Sequence, residues 1–210
     1  MNTTCYIASA APDGGEICFL PQAGDLVIAA DGGYAYLDKM NITPDAIVGD
    51  FDSLGYIPAH ANVLRSPAEK DDTDTMLAVR YGLQKGYQSF EIYGGLGGRL
   101  DHTIANIQAL TYLARNGARG KLIDRDTCAT VICSGSIELD AAGWDILSVF
   151  ALDGEVHGVT MCGFKYPLND ATLTNAFPIG VSNEFAGEKG IVSVCEGALL
   201  IILQKIGPDR

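Results

Sequence analysis

The apolar positions of this chain change period partway along it. Up to about Ile123, short and nearly continuous apolar runs alternate with segments whose apolar residues recur every three or four positions. Beyond about Asp124 only short strand-like runs remain, separated by Gly, Asn, Asp and Pro. Cys5 to Ser9, Leu26 to Ala30, Ala46 to Val48, Asn62 to Arg65, Phe90 to Tyr93 and Lys121 to Ile123 read as strands. Runs apolar throughout suit parallel strands covered on both faces. Met76, Val79 and Leu83 share one face of a helix expected from about Asp72, with Gly86 as its stop. Ile104, Ile107, Leu110 and Ala114 share a face of a second, from about Asp101 to Asn116, stopped at Gly117. This alternation predicts a mostly parallel, Rossmann-like α/β domain over residues 1–124.

After the change of period, Thr130 to Cys133, Ile146 to Ala151, Val156 to Met161, Ile191 to Cys195 and Ala198 to Gln204 are the clearest strands. They predict a small C-terminal antiparallel β-sandwich over residues 125–210, with Asn169 to Ile179 as a loop between two turn-rich segments.

With 48% apolar and 19% charged residues in 210, the chain has the composition of a packed globular protein. Its apolar stretches are strand-length, and no basic segment precedes an apolar one at Met1 to Cys5, so the expectation is a cytoplasmic protein without a membrane span. A net charge of −12 argues against a nucleic-acid partner, which needs a basic face. The six cysteines form no C-x-x-C pair and sit mostly in apolar runs, which predicts buried, reduced thiols.

General acidity does not explain why five aspartates fall within two five-residue windows. In Gly49-Asp50-Phe51-Asp52-Ser53, at a strand end, Asp50 and Asp52 are two apart, so in extended backbone both carboxylates face one way, which suits a shared cation. In Lys70-Asp71-Asp72-Thr73-Asp74, Asp71 and Asp74 would share one face of a first helical turn, with Asp72 as its N-cap. Asp31 closes the run Leu26 to Ala30, where it either faces a ligand at the sheet edge or caps the helix containing Tyr34 and Leu37.

Gly94-Gly95-Leu96-Gly97-Gly98-Arg99 joins a strand to a helix. Four glycines and an arginine there form an anion cradle of N–H groups and guanidinium, with Gly95, Gly97 and Gly98 admitting a phosphate to the backbone. It is neither a Walker A loop nor a G-x-G-x-x-G fingerprint. His102 reads as a packing or capping residue. Ser182 and Asn183 lie in a turn-rich segment that turn chemistry or contact with a polar heterocycle would explain equally.

In order, Ala30-Asp31-Gly32-Gly33, Gly49 to Ser53, Lys70 to Asp74, Gly94 to His102, Gly163-Phe164-Lys165-Tyr166-Pro167-Leu168 and Val181-Ser182-Asn183-Glu184 resemble the motifs of thiamine pyrophosphokinases over nearly the whole chain. The resemblance implies an α/β domain that binds ATP and Mg²⁺, and a β-sandwich that binds thiamine. It further implies a homodimer with composite active sites, and pyrophosphoryl transfer from ATP to thiamine with release of AMP. It assigns Asp50, Asp52 and Asp74 to Mg²⁺, and sets Asp31, Asp71 and Asp101 in the surrounding acidic site. Lys70, Thr73 and Arg99 would contact ATP phosphates, while Ser182 and Asn183 would bind thiamine. Either Asp71 or Asp101 would accept the alcohol proton. A pyrophosphokinase of pterin alcohols would share the N-terminal motifs but lack the Ser182-Asn183 segment, and a Mg²⁺-nucleotide sensor would keep the acids without an alcohol pocket.

Overall fold

The computed structural model describes residues 3–9, 19–49, 56, 62–65 and 72–207. The chain divides into two compact units, Met1–Arg125 and Asp126–Arg210. Among the described residues of the first, six strands form one all-parallel sheet: β1 Cys5–Ala8, β2 Leu26–Ala30, β3 Ala46–Gly49, β4 Val63–Arg65, β5 Ser89–Tyr93 and β6 Arg119–Ile123. Their order is β6-β5-β1-β2-β3-β4. The core strands read LVIAA and AIVG and are buried along their whole length, as strands covered on both faces must be.

Three helices accompany them among the described residues: α1 Gly33–Lys39, α2 Asp74–Gln84 and α3 Leu100–Arg115. Gly86 and Gly117 take positive φ just past the ends of α2 and α3, as expected of stops. The buried faces differ from those read in the sequence. In α2 the inward residues are Thr75, Ala78, Val79 and Gly82; Met76 and Leu83 are only half-buried. The reason is closeness: a Cβ on Gly82 would lie 2.6 Å from the Phe90 ring and 2.8 Å from the Cys5 sulfur. In α3 the inward residues are Asn106, Ala109, Leu110 and Leu113, while Ile104 is exposed.

The second unit is built from β7 Thr127–Ile132, β8 Gly135–Asp140, β9 Ile146–Ala151, β10 Glu155–Cys162, β11 Leu168–Thr174, β12 Asn183–Glu184, β13 Lys189–Val194 and β14 Leu199–Gln204. They pair in two antiparallel groups, β12-β9-β14-β7 and β11-β10-β13-β8. β14, apolar through LLIIL, runs between β9 and β7 and is buried almost throughout. Of the loop expected from Asn169 to Ile179, the first part belongs to edge strand β11, Leu168–Thr174, instead. In its sequence LNDATLT only Leu173 is buried, so it carries no apolar run.

All five described cysteines are free, but the expectation of burial holds only for Cys5 and Cys128. Cys133 is half-buried, and Cys162 and Cys195 are exposed. No helix among the described residues is long and apolar enough to cross a membrane.

Candidate active site

The chain builds β1 to β4 outward in one direction, then returns to lay β5 on the other side of β1. In open parallel sheets, ligands bind beyond the C-terminal strand ends at such a switch point. Ser9 follows β1 there, Asp31 follows β2, and the glycine run follows β5. Two contacts lock this edge. The Ser9 N–H donates to the Tyr93 carbonyl at 2.8 Å. The Ser9 hydroxyl lies 2.9 Å from that of Thr75, both buried, which ties the end of β1 to the first turn of α2.

That first turn carries Asp74, half-buried. The N-cap is Thr73, not Asp72 as expected. Thr73 is extended (φ −72°, ψ 156°), and its Oγ1 accepts the Met76 N–H at 3.2 Å. The hydroxyl keeps its proton to donate elsewhere. Asp72 has a different partner, the Arg80 guanidinium at 2.7 Å. Asp50, Asp52, Lys70 and Asp71 themselves lie outside the described residues.

Asp31 is left-handed (φ 47°), a conformation that costs a non-glycine residue energy and often marks a functional turn. Its N–H donates to Val48 at 2.8 Å, and its carbonyl accepts from Tyr34 at 3.3 Å. The N-cap of α1 is Gly32, so the capping alternative for the Asp31 side chain drops out. A Cβ on Gly33 would sit 1.9 Å from the Ala8 carbonyl oxygen, so only glycine lets α1 start against the end of β1. The ends of β2 and β3 abut as closely: a Cβ on Gly49 would lie 3.2 Å from the Asp31 Cα.

In the glycine run, Gly94, Gly97 and Gly98 take φ of 71°, 77° and 60°. The N–H groups of Leu96, Gly97 and Gly98 donate to no acceptor among the described residues. Arg99 is the N-cap of α3, with no side-chain capping bond. It forks onto Asp101 instead, Nε to Oδ1 at 3.1 Å and Nη2 to Oδ2 at 2.6 Å. That hydrogen-bonded guanidinium holds the Asp101 carboxyl below its usual range and moves Arg99 upward. The fork uses two of the five guanidinium N–H groups and leaves three for an anion. Both side chains are mostly exposed, at 71% and 64%. His102 is also exposed, in the first turn, and neither packs nor caps.

Gly95, by contrast, is buried, and its carbonyl accepts from Asn106 Nδ2 at 2.8 Å. Ser9, Thr75 and Asn106 were not among the sequence-expected site residues. Their one signal is a polar residue on an otherwise apolar face, as Asn106 is at three, four and seven positions before Ala109, Leu110 and Leu113.

In the second unit, Asn183 is 2% exposed and both the oxygen and the nitrogen of its carboxamide are hydrogen-bonded. Oδ1 accepts the N–H groups of Tyr166 and Glu184, each at 3.0 Å, and Nδ2 donates to the Tyr166 carbonyl at 2.7 Å. Asn183 thus fastens the Gly163 to Leu168 segment to β12. Ser182 is left-handed (φ 57°) and exposed; its N–H donates to the buried Ser148 hydroxyl at 3.0 Å. Its own hydroxyl makes no hydrogen bond among the described residues. Among the described residues no three His, Cys, Asp or Glu side chains stand together as a metal site.

Residues 20–122 match the family model of the thiamin pyrophosphokinase catalytic domain, and residues 136–199 that of its vitamin B1 binding domain. The chain is 31% identical over 184 residues to thiamine pyrophosphokinase of Bacillus subtilis (strain 168), covering 84% of this chain and 86% of that protein. Its fold is similar to the crystal structure of the Bacillus subtilis thiamine pyrophosphokinase, with TM-score 0.85, 28% identity, and 97% and 99% of the two chains covered. A thiamin pyrophosphokinase family protein from Enterococcus faecalis gives 0.83, 27%, and 97% and 99%.

Proposed function

This chain belongs to the thiamine pyrophosphokinase family, and on that premise we propose that it transfers the pyrophosphoryl group of ATP to the hydroxyl of thiamine, giving thiamine diphosphate and AMP. The observation that carries the reading is the glycine run at the sheet's switch point, with three N–H groups beside Arg99 that have no acceptor among the described residues. These are donors preset for a polyphosphate, in the part of the chain that matches the family's catalytic domain.

The thiamine hydroxyl oxygen attacks the β-phosphorus of ATP. The bond from that phosphorus to the oxygen bridging the α-phosphate breaks, and AMP leaves with the electron pair. Such reactions ask little covalent work of a protein; positioning and charge neutralisation lower the barrier. Arg99 and the loop N–H groups hold the phosphate oxygens, and Thr73 can donate its free hydroxyl proton beside them, with Lys70 as a further phosphate contact. Asp101, tied by both oxygens to Arg99, suits the role of orienting the guanidinium better than that of base. We therefore assign acceptance of the alcohol proton to Asp71.

Asp50, Asp52 and Asp74 would hold Mg²⁺, with Asp31 in the same acidic surroundings. The fit rests on donor chemistry, since carboxylate oxygens suit this hard cation, and on Asp74 standing in the turn that Ser9 and Thr75 secure. When bound, Mg²⁺ supplies neutralisation of the phosphate charge. We read the first unit as Rossmann-like and the second as a thiamine-binding β-sandwich, in which Ser182 offers a free hydroxyl to the vitamin and Asn183 shapes the segment beside it. The proposed phosphate and thiamine residues fall in separate units, and we read the enzyme as a cytoplasmic homodimer in which composite sites join the two.

The test is release of AMP from ATP and Mg²⁺ with and without thiamine, followed by chromatography. Thiamine-dependent AMP with equimolar thiamine diphosphate supports the reading, and AMP release indifferent to thiamine rejects it. Mixing Asp74→Asn chains with Ser182→Ala chains after subunit exchange tests the composite site: recovered activity supports it, and no recovery in verified heterodimers rejects it.

A further inference from the structure

We propose that Asn106 is a positioning residue for nucleotide binding, which sets the orientation of the Gly95–Leu96 peptide and so aims the Leu96 N–H at the bound phosphates. The inference rests on the reading of the glycine run as a phosphate cradle, and extends it from the loop to the helix behind.

Asparagine is a poor helix former, and burying a carboxamide costs free energy unless it is hydrogen-bonded. Asn106 nevertheless sits in the middle of α3, on its inward face, at 6% exposure. Its hydrogen bond leaves the helix altogether and reaches the Gly95 carbonyl, eleven residues back, at 2.8 Å. The loop is packed against it: a Cβ on Gly95 would lie 3.1 Å from Asn106 Nδ2 and 2.8 Å from the Leu122 side chain.

A trans peptide is planar, with C=O and the following N–H pointing in opposite directions. Because the Gly95 carbonyl is drawn toward Asn106, the Leu96 N–H points away from α3, and it has no acceptor among the described residues. The loop's own residues cannot fix this peptide. Gly94 on one side and Gly97 and Gly98 beyond all take positive φ, and glycines present no Cβ to hinder rotation. Rotated about, the same peptide would present a carbonyl oxygen to the phosphates, turning a donor into a repelling acceptor. Asn106 prevents that rotation by holding the carbonyl inward.

The experiment compares full-length wild type with Asn106→Leu and Asn106→Asp, both close to asparagine in size. Neither can donate to Gly95 as asparagine does; the second offers an ionised acceptor. Folding is checked by circular dichroism and thermal melting. Binding of a non-hydrolysable ATP analogue with Mg²⁺ is measured by calorimetry, and KM for ATP and thiamine by AMP release. We expect analogue affinity and KM for ATP to worsen at least tenfold in both variants while KM for thiamine stays within twofold. In ¹⁵N-labelled wild type, the Leu96 amide should move downfield on analogue binding, as a proton donated to phosphate does. Folded variants that bind the analogue as wild type does overturn the proposal. So does a Leu96 amide unmoved by the analogue, a result that needs no variant to fold. Wild type that binds the analogue, with the Leu96 shift, but releases no thiamine-dependent AMP would overturn the proposed reaction and leave the role of Asn106 standing. Wild type that binds no analogue overturns both.

Discussion

Replacing Asn183 by alanine should destabilise the protein and weaken thiamine use while leaving nucleotide binding alone. The substitution removes three hydrogen bonds at once: two accepted by Oδ1 at 3.0 Å and one donated by Nδ2 at 2.7 Å. Each is worth about 1 kcal/mol net, and a backbone group left unpaired in the interior costs about 1–3 kcal/mol. Tyr166 and Glu184 are themselves exposed, so water can replace part of what is lost. The expected cost is therefore about 2–4 kcal/mol rather than three full penalties. For a chain of this length that corresponds to a fall in Tm of roughly 5–15 °C. Asn183→Asp should be at least as harmful, because its carboxylate can still accept both N–H groups but would face the Tyr166 carbonyl without a proton, at a buried position. Urea unfolding gives the free energies, and AMP release at varied thiamine and ATP gives the two KM values. A cost below about 0.5 kcal/mol for Asn183→Ala would show that the carboxamide does not hold the segment, and the argument would fail.

Arg99→Lys keeps the charge but loses the planar fork, so kcat/KM for ATP should fall by roughly 10²-fold, and an unchanged value would make the arginine structural. Thr73→Ala removes the cap of α2 and should cost about 1 kcal/mol in urea unfolding, with Thr73→Ser near wild type. The Asp101 carboxyl, lowered by Arg99, should titrate below the ordinary 3.8 in a ¹³C NMR titration. A group with a lowered folded value contributes above its unfolded value and loses that contribution as pH falls through the folded one. The pair is thus intact throughout neutral pH; a midpoint above 3.8 would contradict the fork. Cys162 and Cys195 should react with a thiol reagent in the native protein, while Cys5, whose thiol burial pushes well up, should react only on unfolding. Labelling of Cys5 in folded protein, detected by mass spectrometry, would refute this.

The parallel strands were legible because burial on both faces leaves no polar position to blur the run, as in LVIAA of β2. The edge strands were not. β8 and β11 each bury a single residue, and β12 is two residues long, its buried member held by an amide rather than by apolar packing. Helix faces were misassigned where apolar size and burial part company. Ile104 faces out and Asn106 faces in, and Gly82 is buried because nothing larger fits. The family was legible in residue types and their order, since the aspartate clusters and the glycine run ending in arginine carry its motifs. The contacts that brace the strand ends were not, because each is a single side-chain hydrogen bond: Ser9 to Thr75 joins elements far apart in sequence, and Asn106 to Gly95 lies on a helix face that otherwise reads as apolar.

The central claim, transfer of a pyrophosphoryl group intact to thiamine, is tested most directly by following each phosphorus of ATP. With ATP labelled separately at the α- and β-phosphorus, and with Mg²⁺ and thiamine present, the β-label should appear in thiamine diphosphate and the α-label in AMP, in equal amounts. A β-label recovered in ADP, or in any product formed equally well without thiamine, would contradict the account.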